Sequence, residues 1–311
     1  MPLWQSVPLR VAVTAAGAAV MLLPRRLEMT LGRLVGRVIS AAARKRRAVA
    51  IENLSRCLTE LSEKDRAELL RRNFEHWGIL FFEMLHMFSP LEGHFARYVR
   101  RISVLEGYEH WKKAHDKGKG VIFAGNHVGN WEVVSAQAGL HDMDMMIVTR
   151  NLTPQWFHER MVACRRSVKV EPILPPKTLS VVLKSLRGGA SLVFAMDQYA
   201  PPDAGGIKAR FFGYRVDTLG AIALLARKTG AAVVPGSSYR DEDGLIHVFV
   251  EPEIELGEAA GDALRSTQLI ADKTEDYIRR HPDQWTWGHR RFKHVDWTDR
   301  VLRTTEAKQE I

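Results

Sequence analysis

From about Gly107 onward the chain alternates short apolar runs with longer amphipathic ones. Apolar runs at residues 121–124, 145–148, 191–196, 232–237 and 245–250 predict strands, and helical spacing at 131–139, 154–168, 179–186, 218–228 and 263–280 predicts helices between them. Strands alternating with helices predict an α/β fold with a mostly parallel central sheet flanked by helices. Residues 25–100 carry helical periodicity only. Leu31, Leu34, Val35 and Val38 share one face, and a long amphipathic run over 67–87 follows Ser62, an N-cap candidate with Asp65 three positions on. Residues 199–206, rich in Pro, Gly and Asp, are too polar to pack and are expected to form a mobile loop beside a site.

The N-terminal segment changes this picture. Residues 11–23 are uncharged and lie between Arg10 and the pair Arg25-Arg26, a run shorter than the roughly 20 residues that cross a bilayer. Extending it over 4–23 brings in Pro8 and Arg10. No small-residue cleavage site ends it, so an uncleaved anchor or an interfacial helix is expected rather than a secretory signal. A buried helical hairpin with a solvated basic face is the plainer alternative. The pattern divides the chain into an apolar segment 1–24, a helical region 25–100, an α/β domain 101–294 and a tail 295–311.

Composition sharpens the division. The 311 residues are 46% hydrophobic and 26% charged, as in a folded globular protein, with a net charge of +9. Residues 1–50 hold nine Arg or Lys against the single acid Glu28, so +8 of that charge precedes residue 51 and only +1 follows it. Arg25, Arg26, Arg33, Arg37 and the cluster Arg44-Lys45-Arg46-Arg47 suit anionic lipid headgroups on the cytoplasmic side of a membrane. A nucleic-acid-binding protein would spread such charge along a recognition surface, so no nucleic-acid partner is expected. The cysteines, Cys57 and Cys164, are far apart and form no Cys-x-x-Cys spacing, which suggests neither a disulfide framework nor a zinc ribbon.

The candidate chemistry begins where the 121–124 strand ends. His127 and Glu132 are five residues apart, and on one continuous helix they would point about 140° away from each other. A break is therefore needed for them to meet. Gly129 supplies unusual backbone angles, and Asn130 is a good N-cap for a helix whose first turn carries Glu132. Two readings follow: a turn histidine beside a helix-stabilising glutamate, or a pair in which Glu132 orients His127 while His127 takes a proton from a nucleophile. Ligands of open α/β sheets sit beyond the carboxyl ends of the strands. His127, Arg150 and the pair Asp197-Gln198 all follow predicted strands, so a base, a cation and a carboxylate are expected at one sheet edge. Each has an ordinary explanation as a salt-bridge, cap or loop residue; their common placement favours a site.

The block Asn126-His127-x-Gly129-Asn130-Trp131-Glu132 resembles the signature of the bacterial lipid A late acyltransferases, the Kdo-lipid A lauroyl and myristoyl acyltransferase type, and of the related phosphatidylinositol mannoside acyltransferases. Met196-Asp197-Gln198, Phe211-Phe212-Gly213, Thr218, the stretch from Leu225 to Pro235, and the ending Pro282-Asp283-Gln284-Trp285-x-Trp287-x-His289-Arg290-Arg291-Phe292-Lys293 match in order and approximate spacing. The resemblance implies a glycerolipid acyltransferase-like domain in which His127, with Glu132, promotes direct transfer of a fatty acyl chain to a glycolipid hydroxyl. It implies no metal and no cofactor; the acyl carrier protein or coenzyme A thioester is a substrate. The implied acceptor is a membrane glycolipid such as a Kdo-bearing lipid A precursor, and the implied location is the bacterial inner membrane with the catalytic domain on its cytoplasmic side.

Acyl transfer needs a base, donors for the oxyanion and an apolar groove. Backbone amides near Gly125, Gly129 or Asn130, with Arg150 or Arg166, are the candidate donors. Asn126, Asn130, Asp197 and Gln198 are candidate substrate contacts, Asp197 serving either to reinforce His127 or to bind acceptor hydroxyls. Phe81 and Phe82 line either a groove or the core. Arg165-Arg166-Lys169 and Arg290-Arg291-Lys293 offer charge to an acidic carrier protein or to phosphates. Two rivals stand: a hydrolase with a metal on His127, Glu132 and Asp197, and a non-catalytic basic peripheral membrane protein. Oligomeric state and chain length are not legible here.

Overall fold

A computed structural model describes residues 3–176 and 178–301; residues 302–311 of the expected C-terminal tail lie outside the described residues. Four helices come first: α1 (Leu3–Val20), α2 (Arg25–Ala42), α3 (Arg44–Cys57) and α4 (Glu63–Leu85). The start of α4 is fixed as its sequence suggests, with Ser62 Oγ accepting the Asp65 backbone N–H at 3.1 Å and donating to the Asp65 carboxylate at 2.7 Å. Helices α2 and α4 cross almost backbone to backbone. A Cβ on Gly78 would lie 2.0 Å from the Gly32 carbonyl oxygen, and one on Gly36 would lie 2.1 Å from that of Phe74. The outer face of α2 exposes Leu27, Leu34 and Val38 beside Arg26 and Arg37. Among the described residues no helix is long and apolar enough to cross a membrane.

The rest of the chain runs α5 (His94–Ile102), β1 (Ser103–Glu106), α6 (Tyr108–His115), β2 (Val121–Gly125), α7 (Trp131–Leu140), β3 (Met145–Val148), α8 (Gln155–Ser167), β4 (Val170–Ile173), α9 (Thr178–Arg187), β5 (Ser191–Ala195), β6 (Gly206–Phe211), β7 (Tyr214–Leu219), α10 (Ala221–Thr229), β8 (Ala232–Arg240), β9 (Ile246–Val250) and α11 (Ala263–Arg280). Seven strands form one sheet in the order β1-β9-β8-β2-β5-β3-β4. The five from β8 to β4 are parallel; β9 is antiparallel to β8, and β1 is parallel to β9. The fold is thus α/β with a mostly parallel sheet flanked by helices. Strand β2 is buried on both faces. Ile122 and Ala124 join the core that holds Trp285 and Trp287, while Val121 and Phe123 join the one that holds Trp111 and Val133. That is why its sequence is continuously apolar instead of alternating.

Several elements differ from expectation. Strands β1 and β4 are short and mixed in polarity, and Pro172 interrupts β4, so neither stands out in the sequence. The helix expected over 218–228 begins only at Ala221, because Thr218 and Leu219 belong to β7, paired with β6 in a separate hairpin. The turn of that hairpin is Phe212-Gly213, with φ of 50° and 78°. Such two-residue turns usually announce themselves with Asn-Gly. Here tertiary contacts hold a phenylalanine in the left-handed region: its ring stacks on Trp285 with centroids 6.1 Å apart, the Arg279 guanidinium lies 4.7 Å from its centroid, and its N–H donates to Glu275 Oε2 at 2.6 Å. The stretch 199–206 does pack in part, since Ala200 is buried and its N–H donates to the Asp217 carbonyl at 3.3 Å.

Candidate active site

Parallel pairing of β2 with β5 sets Gly125 opposite Ala195. His127 and Asp197 each lie two residues beyond those partners, so the register itself brings them side by side at the carboxyl edge. His127 Nδ1 lies 2.8 Å from Asp197 Oδ1, and its backbone N–H donates to Oδ2 at 2.8 Å. Trp285 Nε1–H donates to the same Oδ2 at 2.7 Å. Burial would raise the Asp197 carboxyl, but the His127 charge and the hydrogen bonds from His127 and Trp285 outweigh it and hold the carboxyl at about 2. Burial likewise depresses the His127 imidazole; the Asp197 charge and hydrogen bond, helped by the Glu132 charge, win and raise it above the usual histidine range. An ionised carboxylate that accepts the hydrogen bond from Nδ1–H leaves the Nε2 lone pair for a substrate. Gln198 Nε2 lies beside the ring, 3.3 Å from Nε2 and 3.4 Å from Nδ1, and the Trp131 ring meets the imidazole edge-on with centroids 5.0 Å apart.

Glu132 takes a different partner from the one expected. Its carboxylate is buried and receives a two-pronged bond from Arg165, Nη2 to Oε1 at 2.6 Å and Nε to Oε2 at 3.0 Å. Among the described contacts it reaches His127 through its charge alone, while Asp197 makes the hydrogen bond. The trio His127, Glu132 and Asp197 of the metal reading is therefore split between two partnerships. Arg166 points elsewhere, paired on the surface with Glu171, Nη2 to Oε1 at 2.7 Å. The useful cation is its neighbour Arg165, which the sequence suggests only as part of a basic cluster for an acidic carrier or phosphates. A signal existed: His158, Met161 and Arg165 follow one another at helical spacing on the buried face of α8.

The remaining candidates fall into three groups. Asn126 and Asn130 are buried and shape the turn. Asn126 Oδ1 accepts the Val128 N–H at 3.1 Å and the Ser237 hydroxyl at 2.9 Å, and Asn130 Oδ1 caps α7 by accepting the Glu132 and Val133 N–H groups, each at 3.1 Å. Arg150, beyond β3, and Arg290 are exposed. Arg291 is not a surface contact at all. It is fully buried, donates to the Asp217 carbonyl at 2.5 Å and the Thr218 hydroxyl at 2.6 Å, lies over Phe211, and is pushed down to about 10 by burial. The backbone of the turn is also committed: Gly129 N–H donates to the Gln284 carbonyl at 3.1 Å and Asn130 N–H to Ser238 Oγ at 3.1 Å, which removes both from the candidate oxyanion donors.

Gln198 leads into a cavity of about 450 Å³ lined by Ile39 and Ala43 of α2, Phe74, Trp77 and Phe81 of α4, and Thr286 and His289 from the C-terminal stretch. Phe81 is 50% exposed, so it serves the cavity wall and not the core. Cys164 is on the buried face of α8, its thiol raised to about 12 by burial, which makes it a poor nucleophile.

Comparison with known proteins completes the description. The family model described as bacterial lipid A biosynthesis acyltransferase matches residues 6–294. The lipid A biosynthesis lauroyltransferase of Escherichia coli K12 is 26% identical over 272 residues, 87% of each chain, and the palmitoleoyltransferase of the same organism is 26% identical over 276 residues, covering 87% of this chain and 86% of its own. A phosphatidylinositol mannoside acyltransferase of Mycolicibacterium smegmatis is 26% identical over 183 residues, 57% of this chain and 58% of its own.

Proposed function

The chain belongs to the bacterial lipid A biosynthesis acyltransferase family, and from that premise we propose that it moves a fatty acyl chain from a thioester onto a hydroxyl of a lipid A-type glycolipid, with His127 as the base. The observation that carries this reading is the Asp197–His127 bond of 2.8 Å next to Gln198, which lines a largely apolar cavity. The acceptor hydroxyl gives its proton to His127 Nε2. Its oxygen attacks the thioester carbonyl carbon and an oxyanion forms; the C–S bond then breaks, and the departing sulfur takes the proton back from His127. One proton thus passes from hydroxyl to thiol, and Asp197 stabilises the imidazolium in between. Gln198, already beside Nε2, supplies an amide N–H toward the oxyanion. Glu132 contributes charge, held in place by Arg165.

Donor and acceptor follow the same reading. The acyl chain enters along Phe74, Trp77 and Phe81, and the donor is an acyl carrier protein or coenzyme A thioester. Exposed Arg150 and Arg290 face phosphates or an acidic carrier. The exposed apolar residues of α1 and α2, among them Val11, Leu34 and Val38, with the basic cluster beginning α3, hold the protein on an anionic membrane surface as interfacial helices. Mass spectrometry of total lipids tests the assignment. Cells lacking the enzyme and supplied with this chain should gain one acyl chain on a lipid A species, and cells supplied with the His127→Ala form should not; identical lipid profiles from the two would refute it.

A further inference from the structure

The turn that carries His127 is gripped from α4. Glu83 Oε2 accepts Asn130 Nδ2–H at 2.9 Å, and because that amide nitrogen is drawn to an anion, the amide oxygen is left to cap α7. The same carboxylate receives Arg240 from β8, Nε to Oε1 at 2.8 Å with Nη2 on Oε2, and Arg25 Nη2 from α2 at 2.5 Å. Two helical turns earlier on the same face, His76 Nδ1 accepts Arg240 Nη1–H at 2.9 Å. A guanidinium only donates, so the proton of the neutral ring sits on the opposite nitrogen. Burial and the Arg240 charge hold His76 at about 3, so this arrangement persists throughout the working pH range. The Asn130 N–H is fixed by Ser238 Oγ at 3.1 Å, and a Cβ on Gly129, whose φ is +67°, would lie 2.5 Å from that hydroxyl.

We infer that Glu83 and Ser238, with Arg240 and His76 behind them, are positioning residues for the reaction: Glu83 grips the Asn130 cap, Ser238 holds the Asn130 N–H, His76 fixes the Arg240 that Glu83 pairs with, and together they set where His127 stands relative to the substrate. The inference rests on His127 being the base. It assigns to the helical N-terminal region a part in the chemistry, since none of the clamp touches the cavity wall that receives the acyl chain. Arg25 extends the clamp to α2, whose seat on α4 is completed through the same carboxylate.

The test compares purified full-length wild type, His76→Phe, His76→Gln, Ser238→Ala and His127→Ala, using an acyl-CoA thioester and a lipid A precursor, with melting temperature measured for each. His76→Phe keeps a ring but loses the bond to Arg240, and its kcat should fall on the order of 10- to 100-fold, the scale of a sub-ångström to ångström misplacement. KM should hold, and the acid limb of the pH–rate profile should stay at the wild-type position, because the His127–Asp197 pair is untouched. His76→Gln, whose amide oxygen can accept from Arg240, should recover most of kcat. Ser238→Ala removes the acceptor of the Asn130 N–H while every buried charge stays paired, and should show the same split even where His76→Phe does not fold. Wild-type kcat in Ser238→Ala, and in His76→Phe where it folds, alongside an inactive His127→Ala, overturns the inference. An active His127→Ala instead overturns the reading beneath it.

Discussion

Asp197 does two things for His127: it accepts the hydrogen bond from Nδ1–H, which fixes the tautomer, and it raises the imidazole above its ordinary value. The second effect has a sign that can be measured. A base must be neutral, so activity rises as pH climbs through the raised His127 pKa and levels above it. In Asp197→Asn the burial that depresses the imidazole is opposed by the Glu132 charge alone, so the acid limb moves to lower pH while the plateau drops, the imidazolium having lost its nearest counter-ion. An acid limb that stays in place in Asp197→Asn would show that another group titrates there. Glu132 is a separate case. Removing it strands Arg165, whose side chain is 9% exposed, without its partner, and breaking such a buried pair costs about 3–5 kcal/mol. Glu132→Ala should therefore lose stability along with activity, seen as a large drop in the denaturation midpoint; full stability in an inactive Glu132→Ala would indicate direct contact with substrate instead.

At the scale of elements, the packing of α2 on α4 is set by three glycines, Gly32, Gly36 and Gly78, where added Cβ atoms would meet backbone. Gly78→Ala should part the two helices and cost about 1–3 kcal/mol by overpacking, and an unchanged melting temperature would contradict that seat. The elements that sequence revealed were those whose local pattern and tertiary role agree. Strand β2 reads as apolar because both its faces are buried, and α7 begins at Asn130 because its side chain caps the helix. The hairpin β6–β7 was illegible because its turn is imposed by Trp285, Arg279 and Glu275, all distant in sequence. In the site, His127 and Asp197 were legible as residues after strands, but their pairing needed the register of β2 against β5. Glu132 drew attention by proximity, although the N-cap turns it toward α8, and Arg166 was chosen where helical phase favoured Arg165. Arg291 looked like a headgroup contact only because burial of a full guanidinium inside an aromatic cluster leaves no mark in the sequence.

For the whole molecule, charge and apolar exposure coincide. The first 50 residues carry +8 of the net +9, and the exposed face of α2 sets Leu27, Leu34 and Val38 beside arginines, next to helices that form one wall of the cavity. Replacing Leu34 and Val38 together with Glu should reduce co-sedimentation with vesicles containing phosphatidylglycerol and leave the melting temperature near wild type, and undiminished vesicle binding would exclude α2 as the contact.

The central claim is that His127, held by Asp197, is the base for acyl transfer. It is tested most directly by the rate at which purified His127→Ala moves acyl chains from a thioester to a lipid A precursor, with folding checked by melting temperature. Loss of the general base predicts a fall of about 10²–10⁴-fold in kcat with the fold retained, and a folded His127→Ala that transfers at the wild-type rate would contradict the account.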